Sequence, residues 1–338
     1  MLNKAIVFTE KGHAELIEEP IKAVEPKDVA VRLEYSTVSS GTERANIIGD
    51  INVGGINILK EVVFPRRAGY SAAGVVTQVG SEVTKVSVGD RVAVAWGNHN
   101  MISVVNENKV HKIPDGVSSS EAAFALISTF PMAAIRKCHL QIGESAMVMG
   151  LGVLGMIAVK LLRAAGACPV IAVDPVKEKR EKALAYGADF AFDPTDADFA
   201  ENVKSVTDGG AKVCIEVTGL GAGLDNALDA MAMFGRVALL GCTRNSDFTI
   251  DYYHKVHAKG VSLIGAHTNA RPACESSEGF WTENDDIKAY FDLLACGRTV
   301  MKDLVGEVHS PKEATEVYTR LINDKNFPIT QFDWSDIK

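Results

Sequence analysis

The sequence predicts an α/β chain, with a β-rich first part followed by a doubly wound parallel sheet. Three observations predict it. Short strand patterns separated by turn signals fill about the first 125 residues. From Ser119 onward, strand and helix patterns alternate, as βαβ units require. After Arg271 the pattern returns to mixed structure.

Ala5–Phe8, Val29–Tyr35, Gly74–Val79 and Arg91–Ala95 are the early strand candidates. Glu25-Pro26-Lys27-Asp28, Val79-Gly80-Ser81 and Val88-Gly89-Asp90 supply the turns between them. Such close spacing suggests a partly barrelled domain. Asn46 to Phe64, with Gly54-Gly55, reads as a mobile loop over a cleft. Ser120 opens a helical pattern toward Lys137. Strand candidates Ala146–Met149, Val170–Val173, Val213–Val217, Arg236–Leu240 and Val261–Gly265 then alternate with helices, among them Lys177–Tyr186 and Gly223–Ala232. Glu313–Ile322 is an amphipathic helix and Ile329–Trp334 a final strand.

The 338 residues suffice for two domains, and 47% hydrophobic with 23% charged residues is ordinary for a globular protein. A net charge of −8 speaks against nucleic acid or an anionic membrane as partner. No apolar run approaches about 18 residues, so no transmembrane helix is expected. The N-terminal Met1 to Phe8 is too short in its apolar part for a signal peptide. Cys138, Cys168, Cys214, Cys242, Cys274 and Cys296 form no C-x-x-C pair; they read as reduced core thiols of a cytoplasmic protein.

Residues Ala146 to Asp174 carry the most information. A four-residue apolar strand leads into Gly150-Leu151-Gly152-Val153-Leu154-Gly155, which fits G-x-G-x-x-G. A helical run, Met156 to Ala165, follows, with Gly166 placed to end it. Val170–Val173 then stops at Asp174. Strand, glycine turn, helix, strand and acid, in that order, form the dinucleotide-binding fingerprint. Gly150 permits the tight turn, Gly152 the approach of a pyrophosphate, and Gly155 close helix–strand packing. The helix N-terminus offers free N–H groups to the diphosphate. Asp174 suits the ribose hydroxyls and repels a 2′-phosphate, so the expected cofactor is NAD. Lys179 and Arg180 have two readings: contact with the ribose, or a solvated helix face.

The chain resembles the medium-chain dehydrogenase/reductase superfamily over nearly its whole length. Val88-Gly89-Asp90-Arg91-Val92, Lys112-Ile113-Pro114-Asp115 with Glu121-Ala122-Ala123, Tyr186-Gly187-Ala188-Asp189, Val217-Thr218-Gly219 and Gly235-Arg236-Val237 occur in that family's order. The resemblance implies a GroES-like catalytic domain from 1–126 and 270–338, and a Rossmann domain from 127–269. It implies a cleft between them for nicotinamide and a small-molecule substrate. It also implies a homodimer or homotetramer, with dimers pairing through the edge strand at Val261–Gly265. Thr129, Thr218, Gly241, Gly265 and His267 fall at cofactor-approaching positions.

The zinc enzymes of the family carry Cys-Gly-(Ser/Thr)-Asp; here the matching residues are Ser40-Gly41-Thr42-Glu43. Their Gly-His-Glu is Gly69-Tyr70-Ser71 here, and the last ligand position falls at Ala125-Leu126. The four-cysteine structural lobe is absent. Zinc needs three or four N, S or carboxylate ligands at one point, so no metal is expected. A protein acid–base must then handle the hydroxyl proton. His99 is the first candidate: its position lines the substrate pocket in zinc relatives, Trp96-Gly97-Asn98 reads as a loop, and imidazole titrates near neutrality. Tyr70 either bonds the reacting oxygen or fills the space of the metal. Thr42 matches a proton-relaying hydroxyl. Glu43 is a base or, as readily, an anchor for Arg44 or a loop. Arg271 is a substrate ligand or a solvated loop charge. Trp96 and Trp281 are substrate-side aromatics, Trp281 either capping a sugar or packing a seam. His309 reads as structural.

The closest resemblance is a zinc-lacking branch with Ser39-Ser40-Gly41-Thr42-Glu43-Arg44 and Gly69-Tyr70, whose members resemble sugar, cyclitol or side-chain alcohol dehydrogenases. The expected function is zinc-independent, NAD-linked hydride transfer with a secondary alcohol or ketone. An NADPH-linked enone or quinone reductase and an inactive NAD-binding sensor are the alternatives.

Overall fold

The computed structural model describes residues 2–53 and 60–338. By its internal packing the chain divides into two units, Met1–Ile127 with Ile287–Lys338, and Ser128–Asp286.

In the first unit, β1 (Leu2–Glu10) and β2 (His13–Pro20) form an antiparallel hairpin, and β3 is Asp28–Thr37. Helix α1 (Ser40–Ile47) follows, then β4 (Arg66–Arg67), β5 (Ser71–Val79), β6 (Arg91–Ala95), β7 (Ile102–Asn106), β8 (Val110–Lys112) and α2 (Ser119–Ala122). Asn46 and Ile47 end α1, whereas Gly54-Gly55 of the expected loop lies outside the described residues. Helix α3 (Ala125–Lys137) leads into the second unit, so the single helix expected from Ser120 is broken at Ala123-Phe124.

The second unit holds β9 (Ala146–Met149), α4 (Val153–Ala164), β10 (Val170–Val173), α5 (Lys177–Ala185), β11 (Phe190–Phe192), α6 (Phe199–Val206), β12 (Ala211–Glu216), α7 (Gly221–Asp229), β13 (Met231–Leu239) and β14 (Ser262–Gly265). Helix α8 (Glu283–Ala295) leads back to the first unit and to β15 (Glu307–His309), α9 (Ala314–Asn323) and β16 (Thr330–Asp333).

The second unit's strands are all parallel in the order β11-β10-β9-β12-β13-β14. This is the doubly wound order that reverses direction between its first and fourth strands. Its central strands are apolar and buried along their whole length, as a sheet covered on both faces requires. Gly166 ends α4 with a left-handed φ of 88°.

The first unit builds a seven-stranded sheet, β15-β16-β3-β5-β6-β8, with β7 beside β3. Phe8, Leu33, Ile47, Met101, Tyr318, Phe332 and Trp334 are all sealed in its core. The return to this unit falls at Ile287 rather than 270. Residues 270–286 are tied instead to α3: Lys137 Nζ donates to the Ala270 carbonyl, and Arg136 pairs with Asp286 at 2.8 Å while lying 3.4 Å over the Trp281 ring. The cysteines also differ from expectation. All six are free, but only Cys138 and Cys214 are buried; the other four are exposed. Burial pushes the Cys138 thiol up to about 12. Among the described residues no helix is long and apolar enough to cross a membrane.

Candidate functional site

In the second unit the glycine turn does what its spacing demands. Gly150 has φ 99°, a left-handed conformation that favours glycine. A Cβ on Gly155 would stand 1.9 Å from the Gly150 carbonyl oxygen, so α4 can pack here only without a side chain. Gly152 caps α4, and a Cβ there would meet nothing within 4 Å, leaving room for a ligand at the helix start. The first N–H groups of α4, at Val153, Leu154 and Gly155, have no intrahelical acceptor and suit a diphosphate. Leu151 differs: its N–H donates to Asp174 Oδ2 at 2.9 Å.

Asp174, at the end of β10, also accepts from the Val176 N–H at 2.9 Å. Each carboxylate oxygen keeps a second lone pair, which fits a ribose diol. Arg180 does not stand ready for the ribose. Its Nη1 donates to the Asp174 and Pro175 carbonyls at 2.7 and 2.9 Å and to Asp193 at 2.9 Å, so it ties the strand end down. Lys179 is half-buried on α5.

Thr218, Gly219 and Gly241 form a second tight corner. The Glu216 carboxylate accepts the Thr218 N–H at 2.7 Å, the Thr218 hydroxyl and the Gly219 N–H. Burial, opposed by these hydrogen bonds, raises the Glu216 pKa. A Cβ on Gly241 would stand 2.4 Å from the Gly219 nitrogen, so this corner also depends on a missing side chain. Sequence reasoning passed over Glu216; an acid at a strand end directly before Val-Thr-Gly was the available signal.

After β14, Lys137 Nζ donates to the Gly265 carbonyl at 2.9 Å. His267 Nδ1 accepts the Asn269 N–H at 3.1 Å, which puts its ring proton on Nε2. Burial, then the charges of Arg244 and Lys137, lower the His267 pKa, so the ring is neutral near pH 7. Arg271 is not a solvated charge: Nη1 donates to Thr129 Oγ1 at 3.1 Å and Nε to the Thr268 carbonyl at 3.0 Å. Thr129 is wholly buried and serves as that anchor. Trp281 lies under Arg136, which marks it as packing.

The first unit corrects the leading catalytic candidate. His99 is sealed from solvent. Its Nδ1 lies 2.8 Å from Ser36 Oγ and its Nε2 lies 3.2 Å from both oxygens of Glu43, itself 1% exposed. Glu43 Oε1 also accepts the Ser39 N–H at 2.9 Å, and Oε2 accepts the Tyr318 hydroxyl at 2.6 Å. Trp334 Nε1 donates to Ser36 Oγ at 2.9 Å. One proton arrangement satisfies every member: Trp334 N–H to Ser36, Ser36 O–H to His99 Nδ1, and His99 Nε2–H, Tyr318 O–H and Ser39 N–H to Glu43. Burial and then the Glu43 charge keep Tyr318 a phenol, its pKa well above the usual range. A histidine and a carboxylate so enclosed cannot exchange a proton with a substrate. Both are structural, and Arg44 bonds the Ile322 carbonyl rather than Glu43.

Tyr70, Thr42 and Trp96 remain near the surface. The Tyr70 hydroxyl donates to Ser39 Oγ, a partner the sequence reading missed although it directly precedes the Ser40 motif. Trp96 is 40% exposed, its ring centroid 5.4 Å from that of Tyr70. Thr42 is half-buried on α1.

The zinc of related enzymes does not fit these residues. Ser71 is buried with its hydroxyl donated to the Ala123 carbonyl at 2.7 Å, and Ala125 offers no donor atom. Glu43 and His99 have their polar atoms committed to one another and to the core. Among the described residues no group of three His, Cys, Asp or Glu side chains is placed to hold a metal ion.

Two family models match the chain: the alcohol dehydrogenase GroES-like domain over residues 25–125, and the zinc-binding dehydrogenase over 153–295. D-guloside 3-dehydrogenase of Escherichia coli (strain K12) is 26% identical over 339 residues, covering 95% of this chain and 96% of that protein. Among solved structures, a short chain alcohol dehydrogenase of E. coli CFT073 complexed with NADH superposes with a TM-score of 0.82 at 18% identity, covering 98% of this chain and 99% of that one. A dehydrogenase of Sinorhizobium meliloti 1021 bound to NADP gives a TM-score of 0.81 at 19% identity, with the same coverage. The chain belongs to the medium-chain dehydrogenase/reductase superfamily. Within it, it is an alcohol or polyol dehydrogenase-like enzyme.

Proposed function

We propose that the protein transfers hydride between NAD(H) and a secondary alcohol or ketone of a sugar or cyclitol, without zinc. The observation that carries the reading is the Tyr70 hydroxyl, held by Ser39; the motif Gly69-Tyr70, which matches Gly-His-Glu of the zinc enzymes, supports its place in the site. The bound nicotinamide supplies or accepts the hydride. In oxidation the Tyr70 oxygen takes the substrate hydroxyl proton while its own proton passes to Ser39 Oγ, which gives up its hydroxyl proton in turn; in reduction the relay runs backwards and the phenol donates to the ketone oxygen. Thr42 contributes a second hydroxyl on the same helix that carries Ser40.

Asp174 supports NAD over NADP through its charge beside the ribose position. The NADP in one structural neighbour favours the second reading, an NADPH-linked enone or quinone reductase. The relative that acts on a guloside supports a carbohydrate substrate. We further infer a homo-oligomer paired through β14, supported by its place at the end of the six-strand order and by Leu263, 39% exposed. Four exposed free cysteines support a reducing compartment such as the cytoplasm.

The test is a polyol and ketone screen followed by NADH absorbance, repeated on Tyr70→Phe, with metal analysis of protein purified without added metal. Loss of turnover by about 10²–10⁴-fold in the variant is expected. Undiminished turnover, or stoichiometric zinc, overturns the reading.

A further inference from the structure

We propose that Trp96 is a stacking platform for the ring of a closed-form sugar or cyclitol, so that the enzyme selects cyclic over open-chain polyols. This deepens the function proposed above and rests on its polyol reading.

Tryptophan is highly buried on average, yet Trp96 is 40% exposed. Its backbone adopts φ 62°, the left-handed region, which costs a bulky residue about 1–3 kcal/mol. Such a conformation persists only where the surroundings dictate it, and here they do. The Trp96 N–H donates to the Tyr70 carbonyl at 2.8 Å. The Gly97 carbonyl accepts both Asn100 Nδ2 and Ser103 Oγ at 3.0 Å. A Cβ on Gly97 would stand 2.4 Å from Ser103 Oγ, so the turn tolerates only glycine there. Two residues on, the His99 N–H donates to the Ala68 carbonyl at 2.8 Å, the Ile6 N–H donates to the His99 carbonyl at 2.9 Å, and the ring is locked on Glu43. The sealed network thus fixes the turn that displays the indole.

The display has a chemical match. The Trp96 and Tyr70 rings stand 5.4 Å apart at 37°, which makes a tilted aromatic corner rather than a flat stack. The Tyr70 hydroxyl is part of that corner and is anchored on the buried Ser39 hydroxyl. A pyranose or cyclitol ring has faces of C–H groups and a rim of hydroxyls. The C–H face suits an indole, whose π-face is electron-rich, and the rim suits the Tyr70 hydroxyl. A rigid aromatic loses little rotamer entropy on contact. An open-chain polyol has no such face and must freeze several rotors to imitate one.

The experiment compares methyl β-D-glucopyranoside and myo-inositol with D-sorbitol and 2,3-butanediol, using NAD and three proteins: wild type, Trp96→Ala and Trp96→Phe. The expected result is wild-type preference for the cyclic pair, a KM for them raised about tenfold in Trp96→Ala and largely restored in Trp96→Phe, and little change for the open-chain pair. An equal rise for both classes, or wild-type preference for the open-chain pair, overturns the platform. Tryptophan fluorescence titrated with the cyclic compounds in the presence of NAD gives a readout that needs no turnover. A saturable change that is lost in Trp96→Ala supports the platform even if no oxidation occurs, in which case only the assigned reaction fails. No saturable change and no turnover on the cyclic pair overturns the platform itself.

Discussion

His99 Nε2 stands equidistant, at 3.2 Å, from the two carboxylate oxygens of Glu43, and neither side chain reaches solvent. Removing one partner leaves a buried carboxylate short of a donor. His99→Ala is therefore expected to cost about 3–5 kcal/mol of stability, the range for breaking a buried pair. Thermal denaturation measures this. Below its melting transition the variant should bind NADH as wild type does, because the glycine turn and Asp174, the proposed cofactor residues, lie in the other unit.

The proposed preference for NAD rests on the charge of Asp174. Asp174→Ser removes the repulsion of a 2′-phosphate while keeping a short hydrogen-bonding side chain. The ratio of NADH to NADPH affinity should fall by about tenfold or more, as about 1.4 kcal/mol of lost discrimination implies. Fluorescence titration of both cofactors reads it, and an unaltered ratio contradicts the assignment.

Gly155→Ala places a methyl group 1.9 Å from the Gly150 carbonyl oxygen. The turn must shift, at about 1–3 kcal/mol for overpacking, and the diphosphate site shifts with it. NADH affinity should drop much further than in Gly152→Ala, whose Cβ meets no protein atom within 4 Å. Equal losses in the two variants would show that the clash is absorbed elsewhere.

His309 lies between Glu307 at 3.0 Å and Glu313. Partial burial opposes its charge, but the hydrogen bonds and charges of both glutamates outweigh that and raise its pKa above the ordinary 6.5. A histidine pKa raised in the folded state means stability fully present below the unfolded value and lost as pH rises through the folded one. The melting-temperature advantage of wild type over His309→Gln should be greatest near about pH 5.5 and shrink toward about pH 8.5. An advantage that grows with pH contradicts this.

The parallel sheet was legible because its strands are buried on both faces. Ala146–Met149 and Val170–Val173 are uninterrupted apolar runs, and both strands match their expected bounds. The glycine turn was legible because a tight strand-to-helix corner dictates its spacing, and Gly150 and Gly155 take the places that spacing demands. His99 was not. Trp96-Gly97-Asn98-His99 has the composition of a surface turn, and nothing local announces that Glu43, Ser36 and Phe332 close around the ring. Arg180 and Arg271 failed for a related reason: a cation reads as solvated until its carbonyl acceptors are known. Tyr70 could be located from its motif, but its partner Ser39 depended on the fold of α1.

The first unit is stitched from distant parts of the chain. Arg32 donates to the Ile337 carbonyl across 305 residues, and β3 pairs with β16. Trp334 and Ile337 sit in the same core as Phe8 and Leu33. During synthesis on the ribosome, the second unit can complete its sheet while β3, already paired with β5 and β7, still lacks β16 along Tyr35–Thr37. The early strands must then wait with an open edge and uncovered apolar side chains, the condition that invites aggregation and chaperone capture. Recovery of active protein should therefore depend on the final stretch of the chain more steeply than its small contribution to the site would suggest.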